Sequence, residues 1–250
     1  MINIKRMFNL KMIKDEESVV FNFDFSINKP ASLFVYRRGN EEIHKEFHGW
    51  PTKLTNAALD QYAEAKVNIH NRELEGVKAK EMTTSETVVE HTKRSVALAN
   101  EIISDMQNFI KTHCKTDNYK VVVTSEGLSF MSKGDAGLNL AGYKFVFLGK
   151  VYENFDRERL TIKTYAPMTI KSTAGCAGKH KYDKKEPMIH AFSVSDIEDV
   201  DAEKLIKVFQ KCLNDKKLMK SSGKTYIDMV DDICDSWWCY KTYLKDVKKG

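Results

Sequence analysis

The residues in this chain that could do chemistry are carboxylates standing where carboxylates are costly. The apolar run "VVFNFD" reads as a buried strand, yet it ends on Asp24. An isolated buried carboxylate needs a partner or a metal. A second apolar run, "VVVTSE", ends on Glu126. Near the C-terminus "VDDICDSWWC" places Asp232 and Asp235 at i and i+3, on one helical face. Asp228 and Asp231 fall on the same predicted helix, and Asp228, Asp232 and Asp235 make one acidic stripe. If the two strands are parallel neighbours, Asp24 and Glu126 leave the sheet at the same edge, where open α/β sheets form their sites. Acids gathered there would repel and raise one another's pKa, and the usual remedy is a hard divalent cation held by oxygen ligands. Two such ions about 4 Å apart form a clamp for in-line phosphodiester cleavage, one activating water and one stabilising the leaving oxygen. Each acid alone has a plainer reading: a solvated helix face for the four aspartates, a turn cap for Asp24, a loop cap for Glu126. Only their conjunction points to a metal centre.

These acids need elements to position them. Residues 19–25 and "SLFVYRRGNEEIHKEFHGW", with its turn at Arg38-Gly39-Asn40, predict a three-stranded antiparallel meander. "TNAALDQYAEAKVNIHNRELEG" predicts a helix, and "KAKEMTTSET" a polar loop. Between Glu86 and His113, Val96, Ala99, Ile102, Ile103, Met106, Phe109 and Ile110 recur at helical spacing. "KVVVTSEG" predicts a central strand, "GDAGLNLAGYKFVFLGKVYEN" a helix with small residues on one side, and "RLTIKTYAP" another strand. Further helices are expected from near Lys185, over "DAEKLIKVFQKCL", and over "TYIDMVDDICDSWWCYKTYLKD". The order describes an α/β fold with a mixed sheet and helices on both faces.

The 250 residues are 42% hydrophobic, enough for one sizeable core. Forty basic against 35 acidic residues leave +5, a mild bias towards a polyanionic partner. Five cysteines (Cys114, Cys176, Cys212, Cys234, Cys239) are an odd number without paired CxxC knuckles. That argues against a disulfide framework or a structural zinc site and fits a reducing compartment. No apolar run approaches the roughly 20 residues that span a bilayer. "MINIKRMFNLKMIK" has four basic residues and no acidic one. It reads as an extra strand or basic arm, with a mitochondrial transit peptide as the alternative.

Four blocks, in order, resemble the RuvC-like Holliday junction resolvases of the RNase H-like nuclease superfamily, in the divergent form found in bacteriophages and other viruses. They are "FNFDFSINKPA", "VVVTSEGLSFMSKGDAGLNLAG", "TIKSTAGCAGKHKYDKKEPMIHAF" and "DDICDSWWCY", spanning residues 19 to 240 with unmatched inserts at 40–95 and 193–224. The resemblance implies an RNase H-like mixed five-stranded sheet, three antiparallel strands then parallel ones, flanked by helices on both faces. It implies a single nuclease domain over 1–250, with a basic extension at 1–15 and a helical insert at about 50–95. Asp24, Glu126, Asp232 and Asp235 would bind two Mg²⁺ or Mn²⁺ ions, and Lys185 would join them as a catalytic lysine, with Lys184 the competing match. Lys171 would lie near the scissile phosphate. Phe130, after Glu126, resembles the aromatic that stacks at the branch point, a contact worth roughly 1–3 kcal/mol per base; a plain core Phe is the alternative. Trp237 and Trp238 depart from the family's small residues and read as core.

Lys179, His180, Lys181, Lys184 and Lys185 form the strongest candidate for a DNA-backbone loop, beside Gly175 and Gly178. Lys133 falls with Phe130 in the second block. Basic clusters at Lys144–Lys150, Lys163–Lys171 and Lys216–Lys224 read equally well as solvated faces. The resemblance further implies four-way or other branched DNA as the partner, cleavage to 5′-phosphate and 3′-hydroxyl ends, a role in recombination and repair, and a C2 homodimer matched to the junction's near two-fold symmetry. The expected location is the cytoplasm, that of the host if the chain is viral. Competing readings are a nuclease for forks, flaps or RNA/DNA hybrids, a catalytically inactive DNA-binding accessory, and, ranked last for want of glycine-rich phosphate loops, a sugar-kinase-like ATP-binding fold.

Overall fold

The structure is a computed structural model and describes residues 16–26, 28–52, 54, 56–72, 83–127, 135–177, 186–193, 205–208, 210 and 229–248. Its centre is β1 (Glu17–Asp24), paired antiparallel with β2 (Ala31–Arg38) and parallel with β5 (Tyr119–Glu126). Helices cover both faces of β1, so its residues run almost continuously buried rather than alternating with exposed ones. Val19, Phe21 and Phe23 face one helical layer, and Val20 faces the other.

The hairpin to β3 (Glu41–Gly49) turns through Gly39 and Asn40. Gly39 has φ 59, the left-handed conformation a two-residue hairpin with glycine first requires. The helix α1 (Asn56–Glu64) follows, and then β4 (Val67–Ile69), which pairs parallel with β3. The sheet therefore has six strands in the order β4-β3-β2-β1-β5-β6, the last being β6 (Leu160–Tyr165). The expected antiparallel-then-parallel arrangement is present, and β4 extends it by one edge strand within the stretch read from sequence as continuous helix. The helix stops because Lys66 takes φ 56, a left-handed end to the turn, and Val67 and Ile69 then alternate as a strand does.

One face is covered by α2 (Thr84–His113) and α3 (Asp135–Asn154). Thr83 and Glu86 close a capping box at the start of α2, and Leu98, Ile102, Met106 and Phe109 bury its apolar stripe against Phe21 and Phe34. The other face carries α4 (Pro167–Thr173), α5 (Glu186–Ser193) and α6 (Val230–Val247). Pro167 was read from sequence as the end of the strand "RLTIKTYAP"; at the first turn of α4 it supplies the fixed φ that starts a helix. Trp237 and Trp238 are core residues, as expected, with 2% and 8% exposure. Among the described residues no helix is long and apolar enough to cross a membrane.

Candidate active site

Strand parity brings the first two acids together. In the parallel register Phe23 lies opposite Ser125, so one step further sets Asp24 beside Glu126. Asp24 shares its face with Val20 and Asn22, and Glu126 shares its face with Val122 and Thr124. Both therefore turn to the layer that holds α6. That helix lies across β1, β2 and β5. Its Asp235 and Cys239 are one turn apart on one face, and Cys239 Sγ meets Thr124 Oγ1 at 3.2 Å. Asp235 thereby reaches the strand ends: Asp24, Glu126 and Asp235 each offer a carboxylate oxygen, all within 4.8 Å of one another.

A polar chain lies beneath the three acids. Thr124 Oγ1 donates to Asn22 Oδ1 at 2.7 Å, and Asn22 Nδ2 donates to Leu33 O at 2.9 Å. These groups are buried, and each bond replaces one to water. Burial pushes the Cys239 thiol up to about 12, and the charges of Asp24 and Glu126 act in the same direction, so this cysteine is a packing residue and not a thiolate. The chain enters α6 through Met229, a fully buried residue at φ 98, a conformation costing about 1–3 kcal/mol for a non-glycine residue.

Sequence reasoning missed the cation. Lys144 on α3 was read as part of a basic cluster that could be a solvated face. It is 4% exposed, and its Nζ donates to the Glu126 carbonyl oxygen at 2.5 Å. Burial lowers its pKa, while Glu126 and Asp24 hold it up. A cation from one helical layer thus reaches the sheet edge where Asp24 and Glu126 end their strands. The signal was present in "AGYKFVFLG", where Lys144 interrupts the apolar run of the helix between Tyr143 and Phe147.

The remaining expected residues divide into two groups. Asp232 is buried in the first turn of α6 but stands outside the three-carboxylate group. Lys171 is half-buried in the last turn of α4, which packs on α6. Phe130, Lys133, Lys179, Lys181, Lys184, Lys185 and Asp228 lie outside the described residues.

The three acids fit a hard divalent cation. The donor set is all oxygen, comes from three separate elements, and spans a gap that metal–oxygen bonds of about 2.0–2.6 Å can bridge.

No protein-family model matches the chain, and no curated protein matches it in sequence. Solved structures resemble it at low identity. RuvC of Thermus thermophilus aligns over 92% of this chain and 96% of its own, at 13% identity and TM-score 0.42. The same protein in complex with a Holliday junction substrate gives the same coverage at 12% identity and TM-score 0.39. The yeast mitochondrial Holliday junction resolvase Ydc2 aligns over 98% of this chain and 89% of its own, at 11% identity and TM-score 0.34.

Proposed function

We propose that this protein is a divalent-metal-dependent endonuclease that cleaves branched DNA, four-way junctions foremost, leaving 5′-phosphate and 3′-hydroxyl ends. The observation that carries the reading is the convergence of Asp24, Glu126 and Asp235 within 4.8 Å at the edge of the sheet. The four sequence blocks support it, because three of them supply these same acids. Asp24, Glu126 and Asp235 hold the ion, Mg²⁺ or Mn²⁺, and Asp232, three residues before Asp235, is the candidate ligand for a second. Ions held there would supply an activated water and stabilise the leaving 3′ oxygen. Lys144 fixes the main chain of Glu126 and offsets part of the charge of the acids. The lysines of 179–185 and Lys171 grip phosphates, and Phe130 stacks on a base at the branch. A homodimer would place two such sites on the opposed strands of a junction.

The test is cleavage of labelled four-way junction, fork, flap and linear duplex with Mg²⁺, Mn²⁺ or EDTA, beside Asp24→Asn. The expected result is paired symmetric nicks in the junction that need metal and vanish in the variant, a loss of at least 1,000-fold, or about 4 kcal/mol of barrier. Preferred cutting of forks, flaps or an RNA/DNA hybrid would change the substrate and keep the chemistry. Junction binding without cleavage would replace the reading with a DNA-binding accessory.

A further inference from the structure

A second group of metal-ligating side chains stands on the opposite face of the sheet from α6. His44, Glu46 and His48 alternate along β3, so all three turn to the face covered by α2. His113 in the last turn of α2 comes down on them, β4 adds Asn68, and His70 follows directly after β4. Glu46 is the hub. Its Oε1 lies 2.8 Å from His44 Nε2 and 3.4 Å from His113 Nε2. Its Oε2 is taken by His48 Nε2 and Asn68 Nδ2, each at 3.1 Å.

Two features set this group apart from a chance cluster of surface polar residues. First, the carboxylate is divided: two donors orient Oε2, and Oε1 alone faces the imidazole pair. Outer-shell bonds that aim a ligand in this way are a recurring feature of metal sites. The chain of supports continues outward, with His70 Nε2 at 3.2 Å from His48 Nδ1 and Asp105 Oδ2 accepting from Trp50 Nε1 at 2.8 Å. Second, the imidazoles are held on an aromatic floor. The His113 ring lies 4.6 Å from Phe109 and the His44 ring 4.1 Å from His113, with their planes 23° apart. Both Nε2 atoms lie against Glu46 Oε1, at 2.8 and 3.4 Å, so one ion at that oxygen is within reach of both rings.

From this geometry we propose that His44, Glu46 and His113 form a binding site for a borderline divalent transition metal, Zn²⁺ in the first place, with the fourth position open to solvent. The donor atoms lie within 4.8 Å of one another. Tetrahedral zinc with ligands at about 2.0–2.2 Å spaces its donors roughly 3.3 Å apart, so the site closes with side-chain movement alone. Two imidazoles and one carboxylate favour Zn²⁺, Co²⁺, Ni²⁺ or Cu²⁺ over Mg²⁺, the reverse of the all-oxygen site. The absence of CxxC pairs does not bear on a His/Glu set. A metal here ties the end of α2 to β3.

The test is calorimetric titration of the chelator-treated full chain with Zn²⁺, and the ligand-field spectrum with Co²⁺. The expected result is one saturable equivalent, not displaced by excess Mg²⁺, with a four-coordinate Co²⁺ spectrum and a higher Tm. Affinity should fall at least tenfold in His44→Ala, His113→Ala and Glu46→Gln, and about tenfold in Asn68→Ala through loss of carboxylate orientation. His44 has a side chain 41% exposed, so His44→Ala should lower the metal-free Tm less than His113→Ala, and melts without metal separate lost binding from lost folding. Asp24→Asn should bind Zn²⁺ unchanged, which separates this site from the nuclease reading. Absence of saturable binding, binding unchanged in His44→Ala and Glu46→Gln, or binding lost in Asp24→Asn would overturn the proposal.

Discussion

Lys144 is a single side chain with two opposed effects. Its ammonium pays a desolvation cost, and the nearby carboxylates repay part of it. Lys144→Met keeps the length and apolar stem but removes the charge that acts on Asp24 and Glu126 and the ammonium that donates to the Glu126 carbonyl. Loss of a charge-assisted bond costs about 1.5–3 kcal/mol, which for a chain of this size lowers Tm by about 3–12 °C. The expected outcome in EDTA is that drop. Saturating Mg²⁺ should recover part of it, so the Mg²⁺-induced rise in Tm should be larger in the variant than in the wild type, as thermal melts with and without metal would read. An equal rise in both would mean that Lys144 does not share the field of the acids. The acids themselves were legible in the sequence because each ends an apolar strand or sits on a helix whose face is fixed by period. Lys144 was not, because its role depends on where α3 crosses the sheet edge. Asp232 shows the limit of spacing. Three residues on a helix are about 300° of rotation, so the i, i+3 pair shares a face without sharing a point, and Asp235 alone joins the group.

Elements are joined at their ends by groups that sequence pattern does not mark. Glu17 opens β1, yet it also closes the turn after α2: its carboxylate accepts from Thr116 N at 2.9 Å, Thr116 Oγ1 at 2.7 Å, Lys115 N at 3.1 Å and Tyr36 Oη at 2.5 Å. Burial works to raise its pKa, and these hydrogen bonds outweigh it and bring the carboxyl to about 2. A folded pKa below the unfolded one means that the stabilisation is complete above about pH 4.5 and is lost as pH falls from there through about 2. Glu17→Gln, which cannot ionise, should cost about 2–3 kcal/mol at pH 7, and the difference from wild type should shrink as urea midpoints are followed from pH 6 down to the lowest pH at which both proteins fold. A constant difference across that range would remove the charge from the explanation. The long periodic elements were plain in the sequence: α2 over 30 residues, the Val-rich β5 and the β2–β3 hairpin with its glycine turn. The short ones were hidden. Three-residue β4 carries too few alternations to register, and it exists because the β3 edge offers it backbone partners. In α4, Pro167 read as the end of a strand until Ile170 finds its place in the core beside α6.

Across the whole molecule the site depends on the last helix docking correctly on the first and fifth strands, since Asp235 comes from more than 100 residues beyond Glu126 in the sequence. Apolar burial drives that docking, because Ile233, Trp237 and Tyr240 sit in one core with Val20, Leu33 and Val122. Burial is non-directional and does not by itself set the helix to within an ångström. The bonds from Asn22 to Thr124 and from Thr124 to Cys239 join β1, β5 and α6 and are the groups able to set it. Thr124→Val keeps the shape, removes the hydroxyl, and leaves Asn22 Oδ1 buried without that donor, a cost of about 1–3 kcal/mol. In a double-mutant cycle with Cys239→Ala, urea unfolding should give a coupling of at least about 0.5 kcal/mol, because the two side chains are in contact. If the bonds also aim α6, Thr124→Val should lower the rate of metal-dependent junction cleavage more than tenfold under conditions where the variant is still fully folded. The fall should lie in kcat and not in KM, since the carboxylates would be displaced and the lysines proposed to bind DNA come from other segments of the chain. Additive stabilities together with an unchanged rate would mean that apolar packing alone seats the helix, and that the buried polar line only satisfies its own members.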